Sequence, residues 1–129
     1  MTKSILLDKF PINSLEIDKT KTELTNIDQF ITYFQEKIEE HPIAALIATF
    51  DHYKHTSSID GEIDPDMKAA KAVIFCFGSK IPTSKILAAR PRTIAIAEFE
   101  NTFVIEFMDA PNEKLQTVME EWTRNLIVK

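Results

Sequence analysis

A polar cluster in the middle of the chain contains two of the three histidines. Its side chains include imidazole and carboxylate groups, which bind metals and act as general acids and bases. Three interpretations stay open: a metal site on His52 and His55, a polar site for a ligand or for structure, and a solvated strand end. The candidate ligand-binding residues of the cluster are Asp51, His52, Tyr53, His55, Thr56 and Ser57.

The local secondary structure decides which of these side chains can meet. On a helix, His52 and His55 would share a face and both could bind a metal. The sequence instead predicts a strand over residues 43–53, on which His52 points away from Asp51 and His55. At roughly 3.3 Å per residue, Asp51 and His55 would then lie about 13 Å apart. A metal site would need a sharp turn just after Tyr53.

Basic residues farther along the chain are candidate anion ligands. Arg90 and Arg92 could bind an anion, or they could pair with some of the many carboxylates. The segment from Gly78 to Lys85 joins a predicted strand to a helix start, where free amides, lysines and hydroxyls could hold a phosphate or carboxylate. We favour a capped helix there. Cys76, within an apolar strand, is expected to be an inert buried thiol.

Length, charge and glycine content exclude several classes of protein. The 129 residues are one ordinary domain, spanning 1–129. A net charge of −5 without a basic block makes a general nucleic-acid binder a poor candidate. Only two glycines are present, Gly61 and Gly78. Both the dinucleotide fingerprint and the Walker phosphate loop need glycines much closer together than these.

Cysteine count and apolar runs indicate the compartment. The single cysteine allows no internal disulfide and no cysteine-based zinc or iron–sulfur cluster. The apolar runs are too short for a signal peptide core or a membrane span. We therefore expect a cytoplasmic protein with no membrane partner, and no cofactor is predicted.

The spacing of apolar residues predicts two amphipathic helices. Asn26 can cap the first, with Gln29 as the second member of a capping box, and Pro42 ends it. Pro111 opens the second. Their apolar stripes are Ile27, Phe30, Ile31, Phe34 and Ile38, and then Leu115, Val118, Met119, Trp122 and Leu126.

Short apolar runs between the helices predict strands. Residues 5–17 are expected to hold an edge strand, because proline, here Pro11, is tolerated at an edge. Residues 54–67 read as a loop, with a short helix at its end. The predicted order is β-α-β-loop-β-α-β-β-α. This order indicates an α+β fold, with an antiparallel or mixed sheet and helices packed on one face.

Residues 92–99 and 102–108 form a predicted hairpin around Glu100 and Asn101. This register puts Ile96 opposite Ile105 and gives the hairpin one apolar, helix-covered face. The other face is low and flat, since two of its residues are alanines. It is either ordinary exposed sheet, or a dimer interface or ligand floor. Its candidate interface residues are Ala95, Ala97 and Val104.

The run from Phe34 to Trp122 resembles the small bacterial families of domains of unknown function typified by family 302. The shared features are a helix ending at His41, a strand leading to Asp51 and His52, a strand ending at Gly78, a short helix ending near Pro91, and a hairpin followed by a helix that a proline opens. The resemblance implies a compact α+β fold, often dimeric. It implies no established activity and no catalytic residues.

The leading hypothesis is a homodimeric module that binds a ligand or a partner, with a small anion as the candidate ligand. Its site would include the polar cluster, with Arg90 and Arg92 as anion ligands. Whether the chain is an enzyme stays open. The alternative is a small metal-dependent hydrolase that uses Asp51, His52 and His55. A third interpretation is a structural subunit whose flat sheet face binds a partner.

Overall fold

The computed structural model describes residues 1–127. Its strands are β1 (Thr2–Leu6), β2 (Phe10–Asp18), β3 (Ala45–Asp51), β4 (Ala69–Cys76), β5 (Arg92–Glu98) and β6 (Thr102–Met108). Its α-helices are α1 (Ile27–Glu40), α2 (His52–Ser58) and α3 (Glu113–Arg124). Two short 3₁₀ helices span Lys19–Lys21 and Ser84–Ala89.

The six strands form one sheet in the order β1-β2-β6-β5-β4-β3. Every neighbouring pair is antiparallel. The predicted α+β class is confirmed, and the element order roughly matches the prediction. The hairpin register is also confirmed, with Ile96 opposite Ile105 and Ala97 opposite Val104.

Helices α1 and α3 cover one face of the sheet, and the core lies between them and the strands. Asn26 caps α1 as predicted, since its Oδ1 accepts from the Gln29 amide at 3.0 Å. The Phe30 ring of α1 packs against Phe103 of β6 with 4.5 Å between ring centroids. The Trp122 ring of α3 contacts Phe75 of β4. Burying such rings on one side gives the sheet an inner and an outer face.

The first strand prediction needs a correction. Residues 5–17 do not form one edge strand, because β1 and β2 form a hairpin and β1 takes the edge. Pro11 therefore lies in an inner strand, opposite Ile5. The position tolerates proline because it is near the start of β2, and the Pro11 carbonyl still accepts from the Asp109 amide at 3.1 Å.

Asp109, just after β6, links three strands. Its Oδ1 accepts a 2.7 Å hydrogen bond from the buried Asn13 of β2. Lys3 of β1 lies 3.2 Å from the same carboxylate. Arg92 of β5 donates to the Asp109 carbonyl at 3.0 Å. The hydrogen bond from Asn13, together with Lys3 and Arg92, lowers the pKa of the Asp109 carboxyl.

This link predicts how stability depends on pH. A lowered pKa in the folded state stabilises the fold fully above the ordinary value of 3.8, and that contribution is lost as the pH falls below it. We expect Asp109→Asn to lower the free energy of unfolding at pH 7, with a smaller difference near pH 3. Urea titration at both pH values measures this. Asp66→Asn, at an exposed position, is the control, and an equal loss in both variants would contradict the assignment.

Candidate functional site

Most of the polar cluster, residues 52–57, lies on a helix. The strand predicted over residues 43–53 is longer than the observed β3. Strand β3 ends at Asp51 and α2 begins at His52. The helix starts there because Asp51 Oδ1 accepts from the Lys54 amide at 2.9 Å, an N-cap bond. The predicted loop over residues 54–67 therefore has its helix at the beginning instead of the end.

Helix α2 brings both histidines to one aromatic ring. The Phe50 ring centroid lies 4.7 Å from that of His52 and 5.5 Å from that of His55. This is the shared helix face that the metal interpretation needs. Tyr53 and Thr56 line a small cavity of about 210 Å³ beside Ala70 of β4. Ser57 is exposed, and its carbonyl accepts from the Asp60 amide.

The Asp51 carboxylate caps α2 and makes no hydrogen bond to either histidine of the cluster. One oxygen makes the N-cap bond, and the other lies 3.9 Å from Lys71 Nζ. Within residues 1–127, no group of three or more His, Cys, Asp or Glu side chains has the arrangement of a metal site. The metal-dependent hydrolase stays a prediction, and it would need ligands beyond His52 and His55.

The structure does not bring Arg90 and Arg92 to the polar cluster. Asp51 pairs with Lys71 of β4, whereas Arg92 pairs with Phe75. The two pairings are separated by four residues of β4, which is about 13 Å along an extended strand. The predicted site therefore divides into two regions at opposite ends of β4.

Arg92 has a structural role at its end of the sheet. Its guanidinium donates to the carbonyls of Met108 at 2.6 Å and Asp109 at 3.0 Å. Burial lowers the pKa of Arg92, and the nearby Asp109 carboxylate opposes that shift. A guanidinium held by two carbonyls fixes the chain after β6 against β5.

Arg90 lies in a cleft that sequence reasoning missed. Residues 78–91 fold beside the ends of β3 and β4 and enclose a cleft of about 710 Å³. Ile47, which lines it, lies at a register shift in β3 between Leu46 and Ala48. A sequence pattern does not show such a bulge, because it depends on the pairing with β4. The available signal was the basic and apolar composition of residues 80–90.

The face of the sheet opposite α1 and α3 is hereafter the open face. Its centre is formed by Thr93, Ala95 and Ala97 of β5 with Val104 and Glu106 of β6. The alanines and Val104 are partly exposed, whereas Thr93 and Glu106 are exposed. The predicted candidate interface residues thus share one accessible surface.

The cap on α2 predicts a stability effect. Removing an N-cap side chain costs about 1 kcal/mol. We expect Asp51→Ala to lower the free energy of unfolding by about this amount, measured by urea titration at neutral pH. Asp66→Ala removes an exposed carboxylate outside any helix and serves as the control. Equal stability of the two variants would contradict the capping role.

Of the comparisons with known proteins, one gave a match, which is to a family model. The family model described as "Family of unknown function (DUF6858)" matches residues 1–128. Searches of curated proteins and of solved structures each found no match. Within residues 1–127, no helix combines the length and apolar character needed to cross a membrane. The resemblance to family 302 is wrong, since the model that matches nearly the whole chain is that of a different family. The chain belongs to the DUF6858 family.

Proposed function

We propose that this chain is an interaction module that forms a homodimer through the open face of its sheet. The observation that supports the proposal is the one-sided core. Helices α1 and α3 pack buried side chains against the inner face, whereas α2 lies on the other face beside Ala70 of β4 and does not cover β5 and β6. The open face is left with partly exposed Ala95, Ala97 and Val104. The expected cytoplasmic location belongs with this proposal.

Helix α2 covers part of the open face, because Tyr53 and Thr56 lie beside Ala70 of β4 and Ala72 is fully buried. The four strands that it leaves uncovered, β1, β2, β6 and β5, are spaced about 4.8 Å apart and each about 20 Å long, and they cover roughly 400 Å² in projection. The relief of side chains adds to that area. A stable interface of standard size buries about 800 Å² per partner. The uncovered strands therefore offer a contact smaller than this standard, at the low end of specific interfaces.

The residue types on the open face suit close packing of two sheets. Sheets in a sandwich pack about 10 Å apart with their strands nearly aligned. Ala95 and Ala97 follow each other on the outer side of β5 and let a facing sheet approach. Glu106, which accepts a 2.6 Å hydrogen bond from Ser14, adds a polar group beside them. The apolar residues Ala95, Ala97 and Val104 thus lie among polar ones, since Glu106 is opposite Ala95 and the exposed Glu16 is opposite Val104.

An arginine at the centre of the open face tests this proposal. We expect the wild-type chain to be a dimer in native mass spectrometry and light scattering. Ala97→Arg should be monomeric at the same concentration, because a bulky charge prevents the facing sheet from approaching. Far-UV circular dichroism and the thermal midpoint establish that the monomer is folded.

Two further variants complete the test. Thr93→Arg puts the same charge at an exposed position of the open face, so it disturbs no packing within the chain. Thr32→Arg, on an exposed position of α1, is the matched control and should stay dimeric. A monomeric wild type, or a Thr93→Arg variant as dimeric as Thr32→Arg, would overturn the proposal.

A further inference from the structure

The cleft beside residues 78–91 combines an apolar lining with cationic groups. Its volume of about 710 Å³ lies within the range of small-molecule sites, roughly 300–1,000 Å³. Ile47 and Cys76 approach from the strands, and Ile81 and Leu87 from the neighbouring segment. Lys80 and Arg90 supply the charge. An apolar cleft with a few convergent polar groups is typical of a ligand site.

The apolar side chains around the cleft are unusually open to solvent. The exposed fractions are 56% for Ile47, 67% for Ile81 and 50% for Leu87. Single exposed aliphatic residues are common, but three around one cleft form a patch that a bound apolar group can cover. The lining therefore fits the hydrocarbon part of a ligand.

The charge of this region is opposite to that of the whole chain. Residues 67–97 contain six of the fifteen basic residues and none of the twenty acidic residues, while the net charge is −5. Within residues 1–127, no ion pair of 4.0 Å or less includes Lys80 or Arg90. An anion at the cleft would therefore meet cations that no carboxylate of the described chain neutralises.

The guanidinium of Arg90 is held in place by its neighbours. It donates to the Lys80 carbonyl at 2.7 Å. Gly78 gives it room, because a Cβ at that glycine would collide with the Arg90 guanidinium in its present position. The backbone of Gly78 is not left-handed, so a side chain there would displace the guanidinium without straining the backbone. Arginine has five N–H donors, and those outside this bond can donate to a carboxylate.

We propose that the cleft binds a small amphiphilic carboxylate, an aliphatic chain that ends in one carboxylate group. The hydrocarbon lies along Ile47, Ile81 and Leu87. The carboxylate accepts hydrogen bonds from Arg90 and is attracted by Lys80. This site is separate from the centre of the open face, since Ala97 is five residues along β5 from Arg92.

Octanoate is the probe that tests the proposal. Isothermal titration calorimetry measures its dissociation constant, with acetate and octanol as ligands that each lack one half of its chemistry. We expect octanoate to bind about tenfold or more tightly than either, because the apolar and the charge-assisted contacts both contribute. Amide shifts of Ser79 and Ile81 in NMR spectra should follow the same saturation curve.

Substitutions locate the bound octanoate. Arg90→Gln and Ile81→Asp should each weaken binding about tenfold, since the first removes the charge-assisted contact and the second replaces apolar surface with a carboxylate that also repels the ligand. Lys85→Gln is the control for charge. Ile59→Asp is the control for the apolar change, because Ile59 is 65% exposed and Ile81 67% exposed. Neither control should change the dissociation constant.

Two outcomes would overturn the proposal. One is octanoate binding no more tightly than octanol and acetate. The other is equal octanoate affinity in Ile81→Asp and Ile59→Asp, which would place the ligand elsewhere. Because Ile81 is exposed, its substitution leaves the core intact and the test stands even if Arg90→Gln fails to fold.

Discussion

Packing of two helices through aromatic rings on a single face of the sheet is the interaction on which the rest of the molecule depends. The Phe30 ring meets Phe103, and the Trp122 ring meets Phe75, so α1 and α3 are both committed to the inner side. Lys71 of β4 is ion-paired with Asp28 in the first turn of α1, which adds a polar link at one end of this layer. The long helices cannot also cover the outer side. Helix α2 covers the β4 part of that side. The rest must then be built from residues that tolerate water or can pack against another molecule.

The parts of the fold that depend on local sequence could be predicted. The periodic apolar residues predicted both long helices. Asn26 also accepts the predicted capping bond from the Gln29 amide. In a capping box, the Gln29 side chain would accept from the amide of the cap residue, Asn26. It accepts instead from the Thr25 amide, one residue earlier. The hairpin register followed from its two-residue turn and alternation. These features involve neighbours in the chain, so their spacing carries the information.

Some features could not be predicted although they are local, and others depend on distant pairing. The β1–β2 hairpin is local, since Ile5 is opposite Pro11, but its turn has Leu7 and Asp8 at positive φ, where glycine or asparagine would be expected. The residues before Asp51 predict that the strand continues through it. Its side chain instead caps α2, so the strand ends there. The grouping of Arg90 with the polar cluster failed because the sheet places them at opposite ends of β4. Gly78 and Arg90 meet across twelve residues, and only the folded segment shows that one makes room for the other.

The extra residue in β3 also bears on how molecules of this chain are kept apart. Strand β3 is at the edge of the sheet, and its residues 45–50 carry no charge. An uncharged apolar edge is the kind of template on which identical strands stack into fibrils. The register shift between Leu46 and Ala48 interrupts the ladder in the middle of that edge. The bulge therefore disturbs the row of hydrogen-bonding groups at this edge, which is one of the devices by which edge strands are kept from pairing with another copy.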